Sequence, residues 1–175
     1  MDHFARLGLP AALDLEAASL DRAYFALQRQ WHPDRFVTRP PEERSKASVE
    51  AAALNDAYRT LKDPLDRAVY FAALKGVELP GDGKTIDDPE LLMEAMEARE
   101  ELHDAASADA VDGLAAKARD EMKASLARLG NLFLRDDKPA IRKALLRLRY
   151  LDKFAEEARS RRLNIERQPP ERPRA

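Results

Sequence analysis

Pro33 is the residue that most restricts what this chain can become. An amphipathic helical pattern runs up to His32-Pro33-Asp34, and a second one begins soon after it. Proline has no amide proton to donate and pushes the preceding residue out of the helical region, so the first helix must stop here. The pattern predicts a helical hairpin with His32 and Asp34 at an exposed corner, an imidazole and a carboxylate with nothing apolar to bury them. Function concentrates on such loops. An ordinary Pro-Asp turn would read the same way locally, so the flanks must decide.

Upstream of the corner, a helix from about Glu16 to Trp31 places Leu20, Tyr24, Leu27 and Trp31 on one stripe, with Arg22 and Arg29 on the opposite face. A short segment from Asp2 to Leu7 precedes it and leads into Gly8-Leu9-Pro10. Downstream, a helix over 41–62 opens with Glu42-Glu43, suited to a helix N-terminus, and carries Ala47, Ala51, Leu54, Tyr58 and Leu61 on its apolar stripe. Asp63-Pro64 ends it, and Pro64 suits the first turn of a fourth helix through Leu74. Gly76 after that run reads as a helix C-terminus. Residues 1–76 are thus expected to form one domain. Residues 77–88, with Pro80, Gly81, Gly83 and Asp87-Asp88, read as a linker. Three further helices are expected at about 89–106, 109–134 and 139–164, forming a second domain over 89–167, because short connections favour antiparallel neighbours. The polar, Pro-rich tail 168–175 is expected to be disordered. With only 6 glycines in 175 residues and abundant Ala, Leu, Glu and Arg, an all-α protein of two domains is the natural outcome.

The absence of cysteine excludes disulfides, thiol catalysis and a cysteine-ligated iron–sulfur cluster, and fits a reducing compartment. No apolar run approaches the ~20 residues that span a membrane, and the start Met1-Asp2-His3-Phe4 lacks the features of a signal peptide. The cytoplasm is the expected compartment. His3, His32 and His103 have no metal-ligand spacing. Neither a nucleophile nor a Gly-rich phosphate loop accompanies His32 and Asp34, so no catalysis, metal or cofactor is expected of this chain. His3 and His103 read as solvated surface residues.

Charge is distributed unevenly. Residues 76–115 hold 12 acidic and 2 basic side chains, whereas residues 116–175 hold 9 acidic and 17 basic. A basic C-terminal third invites a nucleic-acid reading, but its Lys and Arg alternate with acids and no aromatic platform accompanies them. An acidic helix packed against a basic one explains the asymmetry more simply.

On the helix beginning at Pro89, Leu91, Ala95, Ala98 and Leu102 form an adequate inward stripe. Leu92, Met93 and Met96 are then surplus, and Glu97, Glu100 and Asp104 lie alongside. An apolar cluster rimmed by acids resembles a partner-docking surface, while a wider core contact explains it equally well on periodicity alone. On the last helix, Ile141, Ala144, Leu145, Leu148, Leu151 and Ala155 supply the expected buried stripe. Tyr150 projects nearly opposite to it, as either an aromatic anchor or an incidental surface tyrosine.

The first block resembles a J domain. The matching residues are Phe4-x-x-Leu7-Gly8-Leu9, Trp31-His32-Pro33-Asp34-Arg35-Phe36 and Leu54-Asn55-Asp56-Ala57-Tyr58-x-x-Leu61, followed by Asp63-Pro64 and Arg67-Ala68-x-Tyr70. The resemblance implies docking on a DnaK-type chaperone and stimulation of its ATPase. Carried over residue by residue, it assigns the chaperone contact to His32, Pro33 and Asp34, with Arg22, Arg29 and Arg35 supplying the attraction.

In the second block, Leu91-Leu92-Met93-Glu94-x-Met96-Glu97-x-Arg99-Glu100-Glu101-Leu102 and Leu148-Arg149-Tyr150-Leu151-Asp152-Lys153 are similar to the C-terminal domain of HscB, the J-type co-chaperone family of iron–sulfur cluster biogenesis. Met96 and Asp104 replace residues that are commonly Leu and Glu, keeping the chemistry. The resemblance implies an L-shaped adaptor of the bacterial type, which binds the cluster scaffold IscU and delivers it to the specialised chaperone HscA. It assigns the scaffold contact to Leu92, Met93, Met96, Glu97, Glu100, Asp104 and Tyr150. A general co-chaperone for unfolded clients is disfavoured by the lack of a Gly/Phe-rich region. A basic helical nucleic-acid-binding protein is the alternative from another class.

Overall fold

The computed structural model describes residues 1–81 and 87–167; the middle of the expected linker, 82–86 with Gly83, and the tail expected to be disordered, 168–175, lie outside the described residues. Within them the chain is all-α, with seven helices, one 3-10 turn and no strand. It divides into two compact units, Met1–Gly76 and Val77–Ala175.

The first unit holds α1 (His3–Arg6), α2 (Ala17–Trp31), α3 (Pro41–Lys62) and α4 (Pro64–Leu74). Each boundary has a local cause. Asp2 caps α1 by accepting from the Ala5 amide at 2.8 Å, and Asp63 caps α4 by accepting from Leu65 and Asp66. Where α3 ends, Arg67 Nη1 donates to the Leu61 carbonyl at 2.8 Å, satisfying a helix-end acceptor; burial of that guanidinium lowers its pKa. Phe4, Leu7, Leu20, Tyr24, Leu54, Leu61 and Phe71 are buried together with Ala47, Ala57, Ala68 and Ala72. The antiparallel pair α2–α3 is latched reciprocally. Tyr24 Oη of α2 donates to Asn55 Oδ1 of α3, and Tyr58 Oη of α3 donates to Asp21 Oδ1 of α2, both at 2.8 Å. The two tyrosine rings stack at 4.0 Å.

His3 departs from the solvated position expected of it. Its ring stacks on Tyr70 at 4.2 Å, its amide donates to Tyr70 Oη at 2.9 Å, and its Nε2 lies 3.7 Å from Asp56 Oδ2. A helix of one turn has too little backbone bonding to stand alone, and these contacts fasten it to α3 and α4. His103 is exposed, as its position suggests.

The second unit holds α5 (Pro89–Asp104), α6 (Ala108–Leu134) and α7 (Lys138–Arg167). Asp88, Ser107 and Asp137 cap them in turn through the amides of Leu91, Ala110 and Ala140. Between α6 and α7 the chain turns through Asp136 at φ 51°, a left-handed conformation that aspartate tolerates better than most residues. Helices α6 and α7 form a long antiparallel hairpin, and α5 lies along α7 in the same direction, because successive pairs advance together on both. Glu94 meets Arg147, Arg99 meets Glu157, and Arg161 donates to the carbonyls of His103 and Ala105 at the end of α5.

The charge asymmetry is resolved here. Arg142 holds Asp87, Lys143 reaches Asp88 and Glu90, and Arg147 joins Glu94 of α5 to Glu121 of α6. The hydrogen bond from Arg142 pulls Asp87 below the ordinary carboxylate range. The Leu91 amide and then Lys143 do the same for Asp88. Exposed pairs of this kind add little to stability, so they align helices that the apolar core holds together.

Candidate functional site

Two surfaces carry the expected site residues, one on each unit. The first is the corner after α2. Helix α2 ends at Trp31, His32 is extended at φ −60° and ψ 127°, and Pro33–Phe36 form the 3-10 turn. His32, Pro33, Asp34 and Arg35 are all exposed, and the Asp34 side chain is 86% accessible. The corner is nevertheless braced. Arg35 Nη1 donates to the Arg29 carbonyl at 2.9 Å, and the Trp31 and Phe36 rings lie parallel at 6.1 Å. His32 Nδ1 accepts from the Asp34 amide at 3.3 Å, and about half of the side chain remains accessible. Asp34 Oδ2 lies 3.6 Å from the same nitrogen. Arg22 and Arg29 stand exposed on α2, Arg22 lying 3.6 Å from Glu16. The geometry offers a rigid projection beside a cationic helix face.

The second surface is the outer face of α5. Leu91, Ala95 and Leu102 are buried and Ala98 is half-buried, as the inward stripe requires. Met93 and Met96 are each 63% exposed, whereas Leu92 is half-buried and touches both readings. Glu97, Glu100 and Asp104 are exposed and form no ion pair among the described residues, in contrast to Glu90 and Glu94, which the α7 cations occupy. Two methionines and three unneutralised acids therefore share one face. Methionine suits an adaptable contact, and unpaired acids favour a basic partner.

Tyr150 is not where periodicity puts it. It is only 8% exposed and packs in the core with Leu91, Ala95, Leu146, Leu151 and Phe154. The reason is that α7 is packed on two sides. Ile141, Leu145 and Leu148 form one buried row, and Leu146, Tyr150, Phe154 and Ala158, each four residues apart, form another within the cluster that contains α5. A single-stripe reading finds the first row and discards the second; a search for a second i, i+4 ridge would have found it. Burial raises the Tyr150 pKa, with Arg99, Glu121, Glu157 and Glu94 acting on it electrostatically. The hydroxyl thus lies among charged side chains while the ring belongs to the core. Also unanticipated is the clamp of Arg99 on Glu157, two bonds of 2.9 and 3.0 Å joining α5 to α7.

Among the described residues no cluster of His, Asp or Glu is arranged to hold a metal ion, and no helix is long and apolar enough to cross a membrane.

Comparison with known proteins agrees with this division. A family profile of the DnaJ domain matches residues 2–70, and one of the HSCB C-terminal oligomerisation domain matches residues 87–159. A co-chaperone protein HscB homolog from Burkholderia multivorans is 42% identical over 158 residues, covering 89% of this chain and 90% of that protein. One from Burkholderia vietnamiensis is 40% identical over the same shares. Among solved structures, chaperone HscB from Vibrio cholerae superposes with a TM-score of 0.79 at 35% identity, covering 91% of this chain and 96% of that one. Human co-chaperone HscB superposes with a TM-score of 0.86 at 28% identity, covering 94% and 83%.

Proposed function

Since the chain belongs to the HscB family of J-domain co-chaperones, we propose that it binds an IscU-type iron–sulfur scaffold through α5 and carries it to an HscA-type chaperone, whose ATPase it stimulates through the corner after α2. The observation that supports this reading best is the pairing of two uncovered surfaces of different chemistry on separate units. One is a braced His-Pro-Asp projection beside Arg22 and Arg29. The other is Met93 and Met96 amid Glu97, Glu100 and Asp104.

Each surface suits a different partner. Rim cations steer encounter with an acidic surface, while a rigid corner makes the specific contact. The methionine face offers apolar area that costs little to desolvate, and its acids select for a basic scaffold surface. Tethering both contacts in one chain raises the local concentration of scaffold at the chaperone. The chain itself performs no catalysis and holds no cluster in this scheme; the iron–sulfur centre is cargo on the scaffold. Cytoplasmic action accords with the cysteine-free sequence.

The nucleic-acid alternative loses its footing in the second unit, because Arg142, Lys143, Arg147 and Arg162 are already engaged by Asp87, Glu90, Glu94 and Asp112. Mixing the full chain with purified scaffold and chaperone tests the proposal. Size-exclusion chromatography should show a complex with the scaffold without nucleotide, and with both proteins when ATP is present. Failure of the scaffold to co-elute would overturn the assignment of α5.

A further inference from the structure

Phe25 is a large aromatic that α2 does not bury. It is 50% exposed and lies about 140° around the helix from Leu20, well away from the stripe of Leu20, Tyr24 and Leu27 that packs on α3. Its ring leans on Tyr24 at 5.2 Å, tilted by 58°, which covers one side and leaves the other open. Its neighbours on the helix surface are fixed by the i, i+3, i+4 rule. They are Asp21 and Arg22, one turn before, and Gln28 and Arg29, one turn after; of these Arg22 and Arg29 are exposed, while Asp21 is half-buried and accepts from Tyr58 Oη. His32 follows Arg29 by three residues, and Arg35 is bonded back to the Arg29 carbonyl. Arg22, Phe25, Arg29 and the corner therefore form one continuous ridge, cationic at its flanks and aromatic at its centre.

We propose that Phe25 is the apolar anchor of the face by which this chain docks on the DnaK-type chaperone. The inference rests on the proposed role of the corner and goes beyond it, since neither charge nor the His-Pro-Asp motif assigns this residue a part. The occupant is argued from charge. Arg22 and Arg29 on either side of one exposed ring, with Arg35 at the corner beyond, suit an acidic surface that presents an apolar patch. Interfaces place such aromatics at a dry centre and charges at the rim. The arginines then govern how fast and from what distance the partners meet, and Phe25 governs how long they stay together. The two contributions respond differently to salt, because screening weakens exposed charges and leaves apolar burial intact.

The test uses the full-length protein and the ATP-bound chaperone, with affinity measured at about 0.05 and 0.3 M salt. Phe25→Ala should weaken binding about tenfold or more at both salt concentrations, chiefly by faster dissociation, with an unchanged melting temperature and unchanged scaffold binding. Phe25→Gln keeps a side chain of similar length against Tyr24 and should lose affinity in the same way. Native affinity in either folded variant, with His32→Gln still abolishing ATPase stimulation, overturns this inference and spares the role of the corner. Unfolding of both Phe25 variants makes the residue structural and also overturns it. A wild-type chain that neither binds nor stimulates the chaperone overturns both readings together.

Discussion

Arg35 Nη1 donates a 2.9 Å hydrogen bond to the backbone carbonyl of Arg29, across the turn that Pro33 enforces. Arg29 is in the last turn of α2, where carbonyls lose their intrahelical partners, so a residue of the corner completes the helix that precedes it. The guanidinium thereby fixes the direction in which His32 and Asp34 project. Arg35 acts as a brace as well as a charge.

Replacing it separates the two roles. Arg35→Lys keeps the charge and loses the planar fork, so stimulation of the chaperone should fall several-fold while long-range attraction persists. Arg35→Ala should fall further, and scaffold binding should be unaffected by either. Single-turnover ATP hydrolysis measures this; equal stimulation by the Lys variant and wild type would remove the bracing role.

Reversing charge at Arg22 and Arg29 together, each to Glu, should weaken chaperone docking most at low salt, because exposed charges are screened over ~10 Å at 0.1 M. Both side chains are exposed, so the melting temperature should move little. Affinity measured across a salt series decides it, and a loss that is constant with salt would contradict a steering role.

Met93→Ala with Met96→Ala should remove most scaffold affinity and leave the fold intact, since both are 63% exposed. Leu92→Ala is different. Its side chain is half-buried, so it should cost roughly 1–2 kcal/mol of stability, below the 2–5 kcal/mol of a fully buried leucine, in addition to affinity. Titration calorimetry and a melting curve on each variant separate the effects. A collapsed transition in the methionine pair would place both residues in the core.

Tyr150→Ala should destabilise the second unit by about 3–5 kcal/mol, as large-to-small changes of buried aromatics do. Tyr150→Phe keeps the ring and should preserve both the melting temperature and scaffold affinity to within about threefold, the worth of one modest hydrogen bond. A destabilised Phe variant would mean that the hydroxyl is a structural group.

Acid should loosen α5. The pKa values of Asp87 and Asp88 are held down in the folded chain, Asp87 by Arg142 and Asp88 by the Leu91 amide and Lys143. Groups depressed in this way contribute stability above their ordinary range near pH 4, and lose it as the pH falls through their lower folded values. Thermal melts below about pH 4 should therefore show a loss that Asp88→Asn reduces in size. An Asn variant with the same acid dependence as wild type would place the sensitivity elsewhere.

Helix order and the boundaries of α3 and α4 were legible because proline and aspartate mark them: Asp63-Pro64 ends one helix and caps the next. The exposed corner was legible for the same reason, as was the inward stripe of α5. Tyr150 was not, because a helix gripped on two sides has two apolar rows, and a search for one face treats the second as surface. His3 was misjudged because its partners, Tyr70 and Asp56, are remote in sequence and local pattern carries no trace of them. The contacts of Arg161 with the carbonyls of His103 and Ala105 are equally invisible in the sequence, because the partners lie more than 50 residues apart.

The central claim is that one chain couples scaffold binding to ATP hydrolysis by a partner through His32-Pro33-Asp34. Single-turnover ATP hydrolysis by the HscA-type chaperone, measured with wild type and His32→Gln, each with and without the IscU-type scaffold, tests it most directly. The account predicts acceleration by wild type that increases when scaffold is present, and none by His32→Gln, although that variant still binds scaffold. Equal acceleration by the two chains would contradict it.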